Sequence, residues 1–172
     1  MARTLLLLRH AKSSWTDQSL GDFERPLAKR GRKAAPLVGR EMAKRGWVPN
    51  LALVSGARRT RQTWAFVAAE LPAKPAVQFS DALFHAEPDT LLEIIRSVPR
   101  SCASVMVVGH NPGLEELAQM LAGPRSSAVA LASLKEKFPT GALVRFAVDR
   151  PWSELATAGP TLTEFLRPRD LD

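Results

Sequence analysis

Two short aliphatic runs, each delivering a histidine, constrain this chain more than anything else in it. Leu5-Leu6-Leu7-Leu8 leads straight into Arg9-His10, and Val105-Met106-Val107-Val108 ends at Gly109-His110-Asn111-Pro112-Gly113. An apolar run of this length has no polar face to turn toward water. It reads as a strand of a parallel sheet covered on both sides. Ligands of open α/β sheets collect beyond the carboxyl ends of such strands. Two of the chain's three histidines are therefore expected to meet at one sheet edge. A third run, Leu51-Ala52-Leu53-Val54, breaks at Ser55-Gly56 before Ala57-Arg58-Arg59-Thr60-Arg61-Gln62-Thr63. This is a basic helix start at the same edge. A helix amino terminus favours an anion, and the planar guanidinium fork matches phosphoryl oxygens. The expectation is a phosphate pocket built from at least two arginines and two histidines.

The rest of the chain fits an α/β layout in one domain, residues 1–172, with 45% hydrophobic residues for a sizeable core. Residues 28–44 mix basic and apolar positions at helical spacing, with Pro36 expected to kink or restart the helix. Residues 61–71 place Trp64, Val67, Ala68 and Leu71 on one helical face, and residues 87–97 offer Leu91, Leu92, Ile94 and Ile95 to the core. A helix over 114–121 stops at Gly123-Pro124. Residues 142–148 alternate as a half-buried strand at or near a sheet edge. The four tryptophans are scattered and suit packing, although Trp15, close behind Arg9-His10, is placed to line the pocket mouth. The opening leucines are too few for a signal peptide and run into charge, no stretch approaches a membrane span, and the one cysteine, Cys102, suits a reducing cytoplasm. A net charge of +7 raises the possibility of nucleic acid binding. Yet Arg30, Arg32, Lys33, Arg40, Lys44 and Arg45 spread around a helix, and no aromatic interleaving accompanies them. The charge is better suited to steering an acidic or phosphorylated partner.

The motif Leu-Leu-Arg9-His10-Ala11-Lys12 resembles the signature of the histidine phosphatase superfamily, which includes the phosphoglycerate mutases. Within it the chain is most similar to the small SixA-type phosphohistidine phosphatases. Supporting phrases are Asp22-Phe23-Glu24-Arg25-Pro26-Leu27, residues 55–63, Gly109-His110-Asn111-Pro112 and Phe138-Pro139-Thr140-Gly141-Ala142, all in the family's order. The resemblance implies a three-layer αβα sandwich with a mostly parallel central sheet, phosphoglycerate mutase-like. It implies His10 as the nucleophile, with Arg9, Arg59 and His110 completing the phosphate pocket. Arg58 competes with Arg59 by proximity, but the Arg-Thr-x-Gln-Thr phrase aligns Arg59. Arg25 is similar to a further phosphate contact in SixA-type enzymes, and Asn111 joins it as a candidate substrate-binding residue. One departure is Ala11, where many relatives carry glycine.

The implied chemistry is attack by a neutral His10 on phosphorus, with its second ring nitrogen donating to a backbone carbonyl. Nearby arginines disfavour a second positive charge and should depress its pKa. No metal and no cofactor are implied, since the arginines supply the positive charge. Many larger relatives use a carboxylic acid from the segment that here reads Asp81-Ala82-Leu83-Phe84-His85-Ala86-Glu87-Pro88-Asp89. Glu87 and Asp22 are the candidate general acids, although Glu87-Pro88-Asp89 also reads as a helix start and Asp22 could simply orient Arg25. His85 reads as a loop residue on the rim. The absence of an obvious acid leans toward a phosphohistidine on a partner protein, because expelling an alkoxide demands a proton. The alternatives are a small phosphate ester as substrate, or a phosphate-binding module without turnover.

Overall fold

The four-leucine run lies at the heart of a six-stranded sheet. The computed structural model describes residues 2–171. In chain order the strands are β1 (Arg3–Arg9), β2 (Leu51–Ser55), β3 (Ala76–Ser80), β4 (Ser104–Gly109), β5 (Leu143–Val148) and β6 (Thr161–Leu166). The helices are α1 (Lys29–Arg45), α2 (Arg58–Ala68), α3 (Pro88–Arg96), α4 (Gly113–Leu121) and α5 (Ala128–Glu136). Across the sheet the order is β3-β2-β4-β1-β5-β6. The first four in that order are parallel, β5 runs antiparallel to β1, and β6 antiparallel to β5.

Alternation along β1 sorts the core into two layers. Leu5 and Leu7, with Val105 and Val107 of β4, face α3, α4 and α5. Leu6 and Leu8, with Met106 and Val108, face α1 and α2. All four leucines are fully buried, each worth about 1.5–3 kcal/mol relative to exposure. Helices on both faces thus explain why these strands lack a polar side. The result is the three-layer αβα sandwich expected from the resemblance.

Several local expectations need correction. α1 runs without restart through Pro36, because burial of Ala35, Val38 and Met42 on one face outweighs the missing N–H. α2 begins at Arg58, three residues before the start expected from periodicity, and Leu71 lies beyond its end while still packing on the core. β5 lies one strand in from the edge, near it as expected: it pairs with β1 on one side and β6 on the other, and β6, which had no counterpart in the sequence pattern, forms the edge. α5 had no counterpart in the sequence reading. It is capped by Ser127, whose side chain accepts from Ala130 N–H.

Register places the site. Arg9 sits opposite Gly109, so His10 and His110 leave adjacent strands side by side. Val54 sits opposite Val108, and Ser55 follows at the same edge. α1 is pressed against the loop after His10: a Cβ on Gly31 would collide with the backbone of Lys12. Only glycine allows that approach.

Candidate active site

His10 is 6% exposed, and its Nδ1 lies 2.7 Å from the Ala11 carbonyl oxygen. A carbonyl only accepts, so Nδ1 carries the proton and Nε2 keeps a lone pair. Burial, then the charges of Arg59, Arg9 and Arg25, push the His10 pKa down to about 3, against the opposing pull of the Ala11 carbonyl. The imidazole is therefore neutral at physiological pH. This is the tautomer and charge state expected of a nucleophile.

The His110 ring lies 5.3 Å from that of His10, centroid to centroid. Its Nε2 is 2.7 Å from the hydroxyl of the fully buried Ser55. Its pKa falls to about 2, chiefly through burial, with His10, Arg59 and His85 adding to the effect. Nδ1 of His110, Nε of Arg9 and Nε of Arg59 are buried without a protein hydrogen-bond partner. Buried unsatisfied polar atoms are expensive, and three of them on residues that neighbour or act on His10 fit an anion.

Each arginine is anchored by the motif that accompanies it. Arg9 donates from Nη1 to the Phe138 carbonyl, 3.1 Å away, and Asn111 Nδ2 donates to the same oxygen. Arg59, only 2% exposed, donates to the carbonyl and carboxylate of Asp22. Burial lowers the pKa of both arginines from its usual value. Arg25 donates to Asp22 Oδ1 and Ser13 Oγ while stacking its guanidinium 3.4 Å above the ring centre of Trp15. Trp15 is itself 68% exposed, its ring packed against Arg25. Arg58, by contrast, is exposed and reaches the Glu24 carbonyl. Arg59 is the arginine turned inward.

The Arg-Thr-x-Gln-Thr phrase has a structural reason that periodicity does not reveal. Thr60 Oγ1 donates to the Ser55 carbonyl, holding the strand-to-helix turn. Gln62 accepts from the Leu27 N–H, tying down the segment after Arg25. Thr63 accepts from the Ala11 N–H and donates to the Arg59 carbonyl, so one hydroxyl couples α2 to the His10 loop. Ser55 was likewise visible only as punctuation.

Asn111 keeps an open acceptor: its amide donors are spent on Glu115 and the Phe138 carbonyl, ordering the loop that carries His110, while its Oδ1 is buried without a protein partner. Two candidates change role. Asp22 was a possible general acid. Although burial raises its pKa, hydrogen bonds from Arg25 and His85 and the charge of Arg59 win, holding it at about 2. A carboxyl ionised so firmly has no proton to give at neutral pH. Glu87 is exposed at the N-cap of α3, with Pro88 opening the helix. That is the helix-start reading, not the acid. The side chain on the rim is His85, whose Nε2 lies 2.8 Å from Asp22 Oδ2.

Comparison with known proteins agrees with this arrangement. Residues 5–84 match the histidine phosphatase superfamily (branch 1). An uncharacterized chloroplastic protein of Arabidopsis thaliana is 37% identical over 171 residues, covering 93% of this chain and 74% of the relative. An uncharacterized Mycobacterium tuberculosis protein is 35% identical over 169 residues, covering 94% of this chain and all of its own. SixA-type structures from Nakamurella multipartitia and Agrobacterium tumefaciens are each 30% identical. They superpose with TM-scores of 0.83 and 0.80, covering 98% and 96% of this chain and 97% and 99% of theirs. With the fold, the paired histidines and these relatives in agreement, the chain belongs to the histidine phosphatase superfamily, in its SixA-type group, and is a phosphatase.

Proposed function

We propose that the protein removes the phosphoryl group from phosphohistidine on a partner protein, through a phospho-His10 intermediate. His10 Nε2 attacks phosphorus, and the substrate imidazole leaves in line. Arg9, Arg25 and Arg59 face the phosphoryl oxygens, and the charge they carry stabilises the transition state. His110 donates from Nδ1. Its Nε2 then accepts from the Ser55 hydroxyl, because the opposite tautomer would aim a lone pair at the anion. Water hydrolyses phospho-His10 in a second step. The proton stays on His10 Nδ1, donated to the Ala11 carbonyl, throughout.

The observation that carries the substrate class is Asp22. This carboxylate, bonded to the pocket arginine Arg59, is held ionised by Arg25, His85 and Arg59, so it cannot protonate the bridging oxygen of an ester. An imidazole leaving group makes no such demand beside phosphorus. A protein substrate also suits the surroundings of the mouth. A groove next to the His10 loop is lined by Lys12, Arg30, Lys137, Arg167 and Arg169, with Glu136 the one carboxylate among its lining residues. That surface favours an acidic partner. The free Cys102 fits action in a reducing cytoplasm.

The test is time-resolved dephosphorylation of a phosphohistidine-bearing protein beside an alkyl phosphate, phosphoserine, with His10→Ala as control. Fast loss of phosphohistidine, slow ester turnover and abolition of both by the substitution are expected. KM for the phosphoprotein should rise with ionic strength while ester turnover changes little. Efficient ester hydrolysis with phosphohistidine left intact overturns the proposal.

A further inference from the structure

We infer that His85 is the proton donor to the leaving group, delivering its proton to the ring nitrogen of the substrate phosphohistidine that does not carry phosphorus. The inference rests on the phosphohistidine reading above. It starts from a residue held in an unusual way. His85 has φ of 54°, in the left-handed region that few non-glycine residues adopt. Such strain persists only where the surroundings impose it, and it gathers at functional sites. Here the imposing contacts are visible. The ring packs 4.0 Å from that of Phe84, and Nε2 is bonded to Asp22 Oδ2. The following residue, Ala86, is clamped by Gly113 at the start of α4, where any Cβ would strike the Ala86 carbonyl oxygen.

These contacts aim the ring. Its centroid is 5.6 Å from that of His110, while its side chain is still half exposed. His85 therefore stands at the mouth of the pocket, outside the histidine pair. Asp22 is ionised and can only accept, so Nε2 of His85 carries a hydrogen and Nδ1 is the nitrogen that takes and gives the second proton. The charged and titratable groups around it are Asp22 from the turn before Arg25, Arg59 from α2 sharing the same carboxylate oxygen, and His110 beyond β4.

A rim position is wrong for an ester and right for a phosphoimidazole. In an ester the atom needing a proton is bonded to phosphorus, deep among the arginines. In phosphohistidine the ring nitrogen bonded to phosphorus departs well only when the opposite ring nitrogen is protonated, and that nitrogen points away from phosphorus toward the mouth. As the P–N bond breaks, its electron pair stays on the proximal nitrogen and the phosphoryl group passes to His10 Nε2. The proton from His85 Nδ1 reaches the distal nitrogen, so the ring leaves as neutral imidazole. His85 is left neutral, still bonded to Asp22, and regains its proton from solvent.

The experiment compares wild type with His85→Gln and His85→Ala on two small probes. N-phosphoimidazole needs the proton. 1-Phospho-3-methylimidazolium does not, because its distal nitrogen is already alkylated and it leaves as neutral N-methylimidazole. On the first probe both variants should lose at least tenfold in kcat. On the second they should match wild type after subtraction of the spontaneous rate. Variants that equal wild type on N-phosphoimidazole, or that lose equally on both probes, overturn the role of His85 and leave the substrate class standing. Wild type inactive on N-phosphoimidazole and on phosphohistidine protein alike overturns the substrate reading, and this inference with it.

Discussion

Replacing Ser55 by alanine removes one hydroxyl from a fully buried position and tests how His110 is set. The hydroxyl is 2.7 Å from His110 Nε2, on a ring whose Nδ1 already lacks a protein partner. The variant leaves both ring nitrogens unpaired inside the protein. The cost of such a buried orphan is about 1–3 kcal/mol, which for a chain of this size lowers Tm by roughly 2–12 °C. The catalytic loss is separate. Outright removal of an oxyanion donor costs about 10²–10³ in kcat. Ser55→Ala leaves the imidazole in place but no longer selects its tautomer or orientation, so the loss should be smaller, about 10- to 100-fold. Single-turnover phosphorylation of His10 by p-nitrophenyl phosphate measures the step directly, and nitrogen NMR of His110 reports its tautomer. A wild-type rate in the variant, with His110 still protonated on Nδ1, would refute the reasoning that Ser55 sets the donor.

Other consequences are equally accessible. The pKa values of His10 and His110 are depressed on folding to about 3 and about 2, so from pH 6.5 downward the unfolded chain binds protons the native one refuses. Stability is then present above pH 6.5 and lost on acidification, by up to about 1.4 kcal/mol per pH unit for each histidine. Below about pH 4, protonation of Asp22 adds to the loss, because its pKa is also lowered. Urea midpoints from pH 6.5 to 4 should fall less steeply in His10→Asn than in wild type, and identical slopes would count against the buried neutral histidine. Arg59→Lys keeps the charge but cannot span the Asp22 carbonyl, its carboxylate and a phosphoryl oxygen together; we expect kcat/KM to fall about 100-fold or more, and a loss under fivefold would argue against a planar requirement. Gly31→Ala drives a methyl into the Lys12 backbone, so destabilisation of about 1–3 kcal/mol is expected by thermal unfolding, with raised KM because the His10 loop must shift.

How much was legible in the chain depended on whether the reason was local. The aliphatic runs announced β1, β2 and β4 because strands covered on both faces cannot be polar. The helix start at Pro88 and the caution about Asp22 were legible for the same kind of reason. What escaped was long-range. Thr63 meets Ala11 across 52 positions and Arg9 meets the Phe138 carbonyl across 129, and nothing near either residue in the chain encodes the partner. α5 and β6 escaped because their patterns are weak: α5 buries only Ala130 and Leu134, and β6 only Leu162 and Leu166.

Asp22 shows most clearly where the division falls. The linear chain supplies a carboxylate three residues before Arg25, a spacing that suggests a pair, and it supplies a histidine in a distant loop. Composition and pattern alone determined that a parallel sheet would bring two histidines and several arginines to one edge, since periodicity and strand-end geometry act within a few residues. Only the tertiary structure decided that Asp22 would be an ionised hub for Arg25, Arg59 and His85, and so could not be the acid. Protonation states depend on burial and on charges a few ångströms away. Those distances exist only once the chain has folded.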